Sequence, residues 1–144
     1  MTKVLHTTNY RSTFIQVAED CPARTGIVPP PRAGKPTVAG LQHAMLSMAP
    51  YAYTSDDVIF ATSAPGRALE PSASKKQRLE AFEAFFSKGQ ACMRASALGK
   101  QFGWGIHADA EGRIAIYPVE SQRYRELAED GKVKQVRAMR SKRG

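Results

Sequence analysis

The chain has 144 residues, 42% hydrophobic and 24% charged, with 21 Lys plus Arg against 13 Asp plus Glu and a net charge of +8. Such a length and composition exclude a disordered chain and fit one folded domain with its own core. No apolar run approaches the roughly 18 residues that cross a bilayer, and the opening stretch MTKVLHTTNYRSTF holds no apolar signal core, so a cytoplasmic protein without membrane attachment is expected.

Thr13 to Ala18 is rich in β-branched and aromatic residues and predicts a first strand. Thr25 to Lys35, with Pro29-Pro30-Pro31, predicts an irregular connection. Thr37 is placed to cap a helix from Val38 to about Met48, with Val38, Leu41, Met45 and Met48 as its apolar stripe and Pro50 as its stop. Asp57 to Thr62 predicts a second strand, followed by a loop from Ser63 to Ala73. Ser74 and Gln77 form a capping box for a helix from Lys75 to Ser87, closed by Gly89. Its Leu79, Phe82, Phe85 and Phe86 imply firm docking onto a sheet. Cys92 to Ser96 predicts a further strand. A hairpin follows, with arms Gly103 to Ala108 and Arg113 to Val119 joined by Asp109 to Gly112. By the period of two, Trp104, Ile106, Ile114 and Ile116 share one face, while Gly105, His107, Arg113, Ala115 and Tyr117 share the other. Ser121 caps a short helix carrying Tyr124, Leu127 and Ala128 and ended by Gly131. From Lys132 onward six cations and no acid leave only +2 for the rest of the chain. This basic end is an edge strand or a loose tail.

The expected fold is α+β: an antiparallel sheet with about three helices packed mainly on one side. Residues 1–144 form a single domain in this reading, with 1–11 and 138–144 as flexible ends.

No GxGxxG, GxxxxGK[ST], GxSxG, CxxC or HExxH pattern is present, and no cofactor is expected. Cys21 and Cys92 are too few and too distant for a disulfide scaffold and are read as free thiols. Cys92 and His107 are the one plausible nucleophile–base pair, with Arg94 as a cation able to favour the thiolate; the plain alternative is a small packed thiol. Cys21, His43, Cys92 and His107 lack the close ligand spacing of a structural zinc site, and no metal is expected. The doublets Glu19-Asp20 and Asp56-Asp57 could hold Mg²⁺ through carboxylate oxygens, but such residues more often cap turns.

The strongest candidate surface is Gly103, Gly105, His107, Arg113 and Tyr117, with Arg94, Ser96 and Lys100 nearby if the preceding strand is adjacent. Two glycines on one strand face leave a shallow floor. Arg113 supplies a fork donor for an anion and Tyr117 a ring for stacking. Packing glycines beneath a solvated face are the plain alternative. The cationic end could contact nucleic-acid phosphates, although cationic tails often only solubilise.

The phrases TTNYRSTFIQVAEDCP, PYAYTSDDVIF, SKGQACMRASALGKQFGWGIHADAEGRIAIY and KVKQVRAMRSKR together resemble a small, mostly bacterial family described as a domain of unknown function. The resemblance spans nearly the whole chain. It implies a stand-alone protein of about this length whose own ending is similar to RAMRSKR, and it brings no activity, cofactor or catalytic residue with it. The residues themselves favour a small basic binding module for an anionic partner: nucleic acid, nucleotide or phosphorylated metabolite. A small enzyme using Cys92 or His107 is the second reading, and a homodimer paired through a sheet edge the third.

Overall fold

The computed structural model describes residues 5–142. β1 (Thr13–Gln16) forms in the β-branched and aromatic stretch, and its Phe14 and Ile15 are buried on opposite faces. It pairs antiparallel with β2 (Trp104–Ala108) on one side and parallel with β4 (Lys134–Arg137) on the other. β3 (Ile114–Pro118) pairs antiparallel with β2, giving the order β3-β2-β1-β4. The sheet is therefore mixed, not antiparallel as the sequence suggested. A helix, α6 (Gln122–Glu129), carries the chain from β3 at one edge to β4 at the other. A helical crossover returns the chain in its original direction, so the last strand runs parallel to β1.

The hairpin lies where the alternation placed it. Asp109 Oδ1 accepts from the backbone N–H groups of Glu111 and Arg113, each at 2.9 Å, and Gly112 takes φ +84°. Only residues that tolerate the left-handed region fit that position.

Six helices, not about three, surround the sheet among the described residues. α1 (Val38–Met48) begins on Thr37, whose hydroxyl accepts from Gly40 N–H at 3.1 Å. The predicted stripe is off by one position: Val38 and Met48 are 49% and 87% exposed, and Ala39, Gln42 and Leu46 are buried instead. Asp57 to Thr62 is not a strand; it belongs to α2 (Ser55–Thr62). Thr54 accepts from Asp57 N–H and the Asp57 carboxylate accepts from Thr54 N–H, a reciprocal cap that outweighs the strand preference of Val58, Ile59 and Phe60. α3 (Ala64–Arg67) follows directly, with its start capped by Ser63.

α4 (Lys75–Phe85) opens on the expected Ser74–Gln77 box, but it does not dock onto the sheet. None of its residues is buried, and Leu79 is 56% exposed. Its Phe82 and Phe85 rings lie 5.4 and 5.6 Å from the Phe60 ring of α2, so α4 is a second layer resting on a helix. Phe86, just past its end, is the fully buried ring.

Cys92 to Ser96 is likewise not a strand. Met93–Ala95 makes a 3-10 turn, after which Ser96 caps α5 (Ala97–Lys100) by accepting from Leu98 N–H at 3.2 Å. One sheet face packs Ile15, Ile106 and Ile114 against Leu46, Val58, Met93 and Leu98. The other packs Phe14 against Tyr124 and Leu127 of α6.

Of the segments taken as flexible ends, residues 1–4 and 143–144 lie outside the described residues. Thr7 and Thr8 donate to the Asp56 carboxylate at 2.6–2.7 Å, and Ser141 and Lys142 N–H groups donate to that of Asp20. Asp20 and Asp56 thus hold chain segments together, and Asp57 caps α2. Backbone N–H groups from Lys142 and Ser141 keep the Asp20 carboxyl below its usual range.

Candidate functional site

The sequence candidates divide between the two faces of the sheet. His107 pairs directly across from Phe14, on the α6 side. Cys92 lines a cleft with Gln42 and Met93 on the opposite side, where Met93 packs with Ile106. The sheet stands between them, so the structure does not bring Cys92 and His107 together as nucleophile and base. Cys92 Sγ lies 3.4 Å from the Tyr10 hydroxyl instead. Burial, helped by that thiol, pushes the Tyr10 phenol above 10.0.

The glycine floor is filled. A Cβ on Gly105 would lie 2.5 Å from the Tyr124 ring and 2.6 Å from that of Phe14. Gly103, at φ +80°, has no room because the Thr25 carbonyl covers it. Both are glycines because other chain segments pack on them. Arg94 uses its Nε–H to hold the Arg137 carbonyl at 2.6 Å, and its own carbonyl accepts from Met139 N–H at 2.8 Å. It anchors the end of β4. Ser96 donates to the buried Gln42 amide oxygen at 2.6 Å. Lys100 ends α5, and Arg113 is an exposed turn residue 3.9 Å from the Glu111 carboxylate. Ser96 sits in the Cys92 cleft, across the sheet from His107.

What remains of the predicted face is a chain of three side chains. The Tyr51 hydroxyl lies 2.7 Å from His107 Nδ1 and 2.8 Å from the Tyr117 hydroxyl. The Tyr51 and His107 rings also meet edge to face at 5.6 Å. Tyr51 has φ +58°, in the left-handed region that a tyrosine rarely occupies. Such a conformation costs on the order of 1–3 kcal/mol and persists when neighbours fix it. Here the Tyr51 N–H donates to the Ile114 carbonyl at 2.9 Å, and the Ile114 N–H donates to the Tyr53 carbonyl at 2.8 Å. Two backbone bonds on either side of the strained residue thus pin it to the start of β3.

Burial favours the neutral forms of Tyr51 and His107. Burial, then the bond to Tyr117, raises the Tyr51 phenol far above 10.0. Burial lowers His107 below 6.5, and the Arg123 charge acts in the same direction. Arg123 makes no hydrogen bond or ion pair among the described residues. Chemically, the chain has two forms. With Tyr51 donating to Nδ1, the imidazole presents Nε2–H outward; with Nδ1–H donating to Tyr51, Nε2 presents a lone pair and Tyr117 is left with a free O–H.

Sequence reasoning found His107 and Tyr117 by the hairpin alternation. It missed Tyr51 and Arg123, since Pro50-Tyr51 reads only as a helix stop and Arg123 as one exposed helix cation among several.

Residues 5–144 match the model of DUF6157, described as a family of unknown function. The chain belongs to that family. Neither a curated protein nor a solved structure matches it. The family brings no activity to the Tyr117–Tyr51–His107 chain, whose chemistry has to be read from its own geometry. No described helix is long and apolar enough to cross a membrane.

Proposed function

We propose that this member of DUF6157 is a small binding domain for an anionic small molecule, a carboxylate or a phosphorylated metabolite, held at the His107 end of the three-residue chain. The observation that carries the reading is the strained Tyr51 bridging His107 at 2.7 Å and Tyr117 at 2.8 Å. The bridge fixes the imidazole, and burial with the Arg123 charge favours its neutral form, so that Nε2–H can donate to an anion. Arg123, whose charge reaches both Tyr51 and His107, supplies the cation. An anion placed there would favour the imidazolium, and its binding would raise the His107 pKa.

The reading includes a cytoplasmic setting for one domain whose two thiols are free. Nucleic-acid binding by the tail cations is the alternative that one experiment separates. The His107 ring resonances should be titrated by NMR with inorganic phosphate, citrate and a short single-stranded oligonucleotide. Phosphate or citrate should move the His107 signals, and Arg123→Ala should abolish that shift. If the oligonucleotide alone binds, and loses affinity when 137–144 is deleted, the nucleic-acid reading replaces this one. If no probe moves His107 at low salt, anion binding at this site is wrong.

A further inference from the structure

On the opposite face of the sheet, α1, the end of α2 and the 90–97 segment enclose a cleft of about 420 Å³, a volume in the range of small-molecule sites. None of its lining residues is Asp, Glu, Lys, Arg or His. A charged ligand would lose its hydration there and find no counter-charge. The walls are mostly apolar, with Ile59, Phe85 and Met93 among them, and Val38 stands exposed at the rim.

Among the polar residues that line this cleft, Gln42 is buried, at 5% exposed. Its orientation is settled by its neighbours. The Ser96 hydroxyl donates to Oε1 at 2.6 Å, while Thr62 gives its own proton to the Val58 carbonyl at 2.8 Å and can only accept from the amide. A flipped amide would set its oxygen against the Thr62 oxygen. The NH₂ group therefore faces Thr62, where one acceptor at 3.5 Å serves two hydrogens. The second amide hydrogen has no acceptor among the described residues. A buried donor in that state favours any ligand that brings one.

We infer that this cleft binds an uncharged, largely apolar small molecule bearing a carbonyl-type acceptor, with the acceptor on the Gln42 amide N–H and the apolar body against Ile59, Phe85 and Met93. The site is independent of the anion surface beyond the sheet.

Cys92, half-buried in the cleft wall, and Cys21 outside it give a direct readout. The probes are benzamide, benzoate and benzylamine, three molecules of one shape with different charge. Alkylation of both thiols by iodoacetamide is followed by mass spectrometry of the native protein. Benzamide at about ten times its Kd should slow Cys92 alkylation about tenfold, because only the free fraction reacts, and should leave Cys21 unchanged. Benzoate and benzylamine should protect neither. Gln42→Met should weaken benzamide protection while keeping the apolar volume. Ala91→Phe, a change at the exposed rim, should remove protection by filling the cleft, and the unliganded melt reports whether each variant folds. Equal protection by benzoate, no protection by benzamide up to its solubility, or full benzamide protection in a folded Gln42→Met variant would each overturn the inference.

Discussion

On the α6 side of the sheet the candidate site joins two phenols and an imidazole near Arg123, which makes no ion pair among the described residues; on the α1–α2 side the cleft is lined by neutral groups. The first cluster is half-buried and the second is centred on a buried amide, and they are satisfied differently. The first is a closed chain in which each group finds a partner and the free valence sits at an end. The second is an amide fixed through its oxygen and left short at its nitrogen. A polar cluster thus advertises a ligand through the valence its own fold leaves over, and here one face leaves a donor near a cation while the other leaves a neutral donor in an apolar wall.

The largest effect should come from removing what separates the two regions. Phe14 is fully buried under Tyr124, and Phe14→Ala should lose about 3–5 kcal/mol in chemical denaturation. A loss under about 1 kcal/mol would mean that α6 does not seal its face of the sheet. The α4 layer offers the contrast, since Phe82 is only partly buried there, so Phe82→Ala should cost clearly less than Phe86→Ala. Equal losses would restore a sheet-docked α4.

Gly105→Ala sharpens the comparison further. Its new methyl would press on Tyr124 and Phe14, and overpacking of this kind costs about 1–3 kcal/mol. A neutral result would reopen the glycine floor as a ligand surface.

Tyr51→Phe removes one hydroxyl and unlinks His107 from Tyr117. Water reaches these half-buried groups, so the stability loss should be only about 1 kcal/mol. The decisive readout is the His107 titration curve, which should change in Tyr51→Phe and stay as in the parent in Gln42→Met on the far side. A His107 curve indifferent to Tyr51 would break the chain.

The smallest effect is on pH dependence. His107 titrates below 6.5 when folded, so on acidification the unfolded chain takes the proton first. Its contribution to stability is therefore complete above about pH 6.5 and is lost as pH falls towards the folded pKa. His43, also lowered by burial, adds in the same sense. Melting temperatures between pH 8 and 5 should fall less in His107→Gln than in the parent. Arg123, Asp109 and Asp130 act on the same imidazole, with Arg123 lowering its pKa and the two carboxylates raising it. Arg123→Ala should therefore move the midpoint upward. Benzamide protection of Cys92 should not follow that midpoint.

Local signals were legible where the chain's own neighbours decide the outcome. Thr37, Ser74 and Ser121 cap helices through residues three positions away. The hairpin followed from alternation and a four-residue turn. The errors arose where two local signals competed, as in Thr54–Thr62. There the β-branched run argues for a strand and the Thr54–Asp57 box for a helix, and the box prevails. On the Cys92 segment no comparable signal distinguished a turn from a strand.

Composition, caps and periods of two and three to four residues determined by themselves that this chain is α+β, where three of its six described helices start and how its hairpin folds, because those preferences act between residues close in sequence. The parallel return of β4, the buried Gln42 and the meeting of Tyr51 with His107 and Tyr117 needed the tertiary structure. Each depends on contacts between residues dozens of positions apart. No local propensity encodes which distant side chain will supply a hydrogen bond, or on which side of a sheet two candidates come to rest.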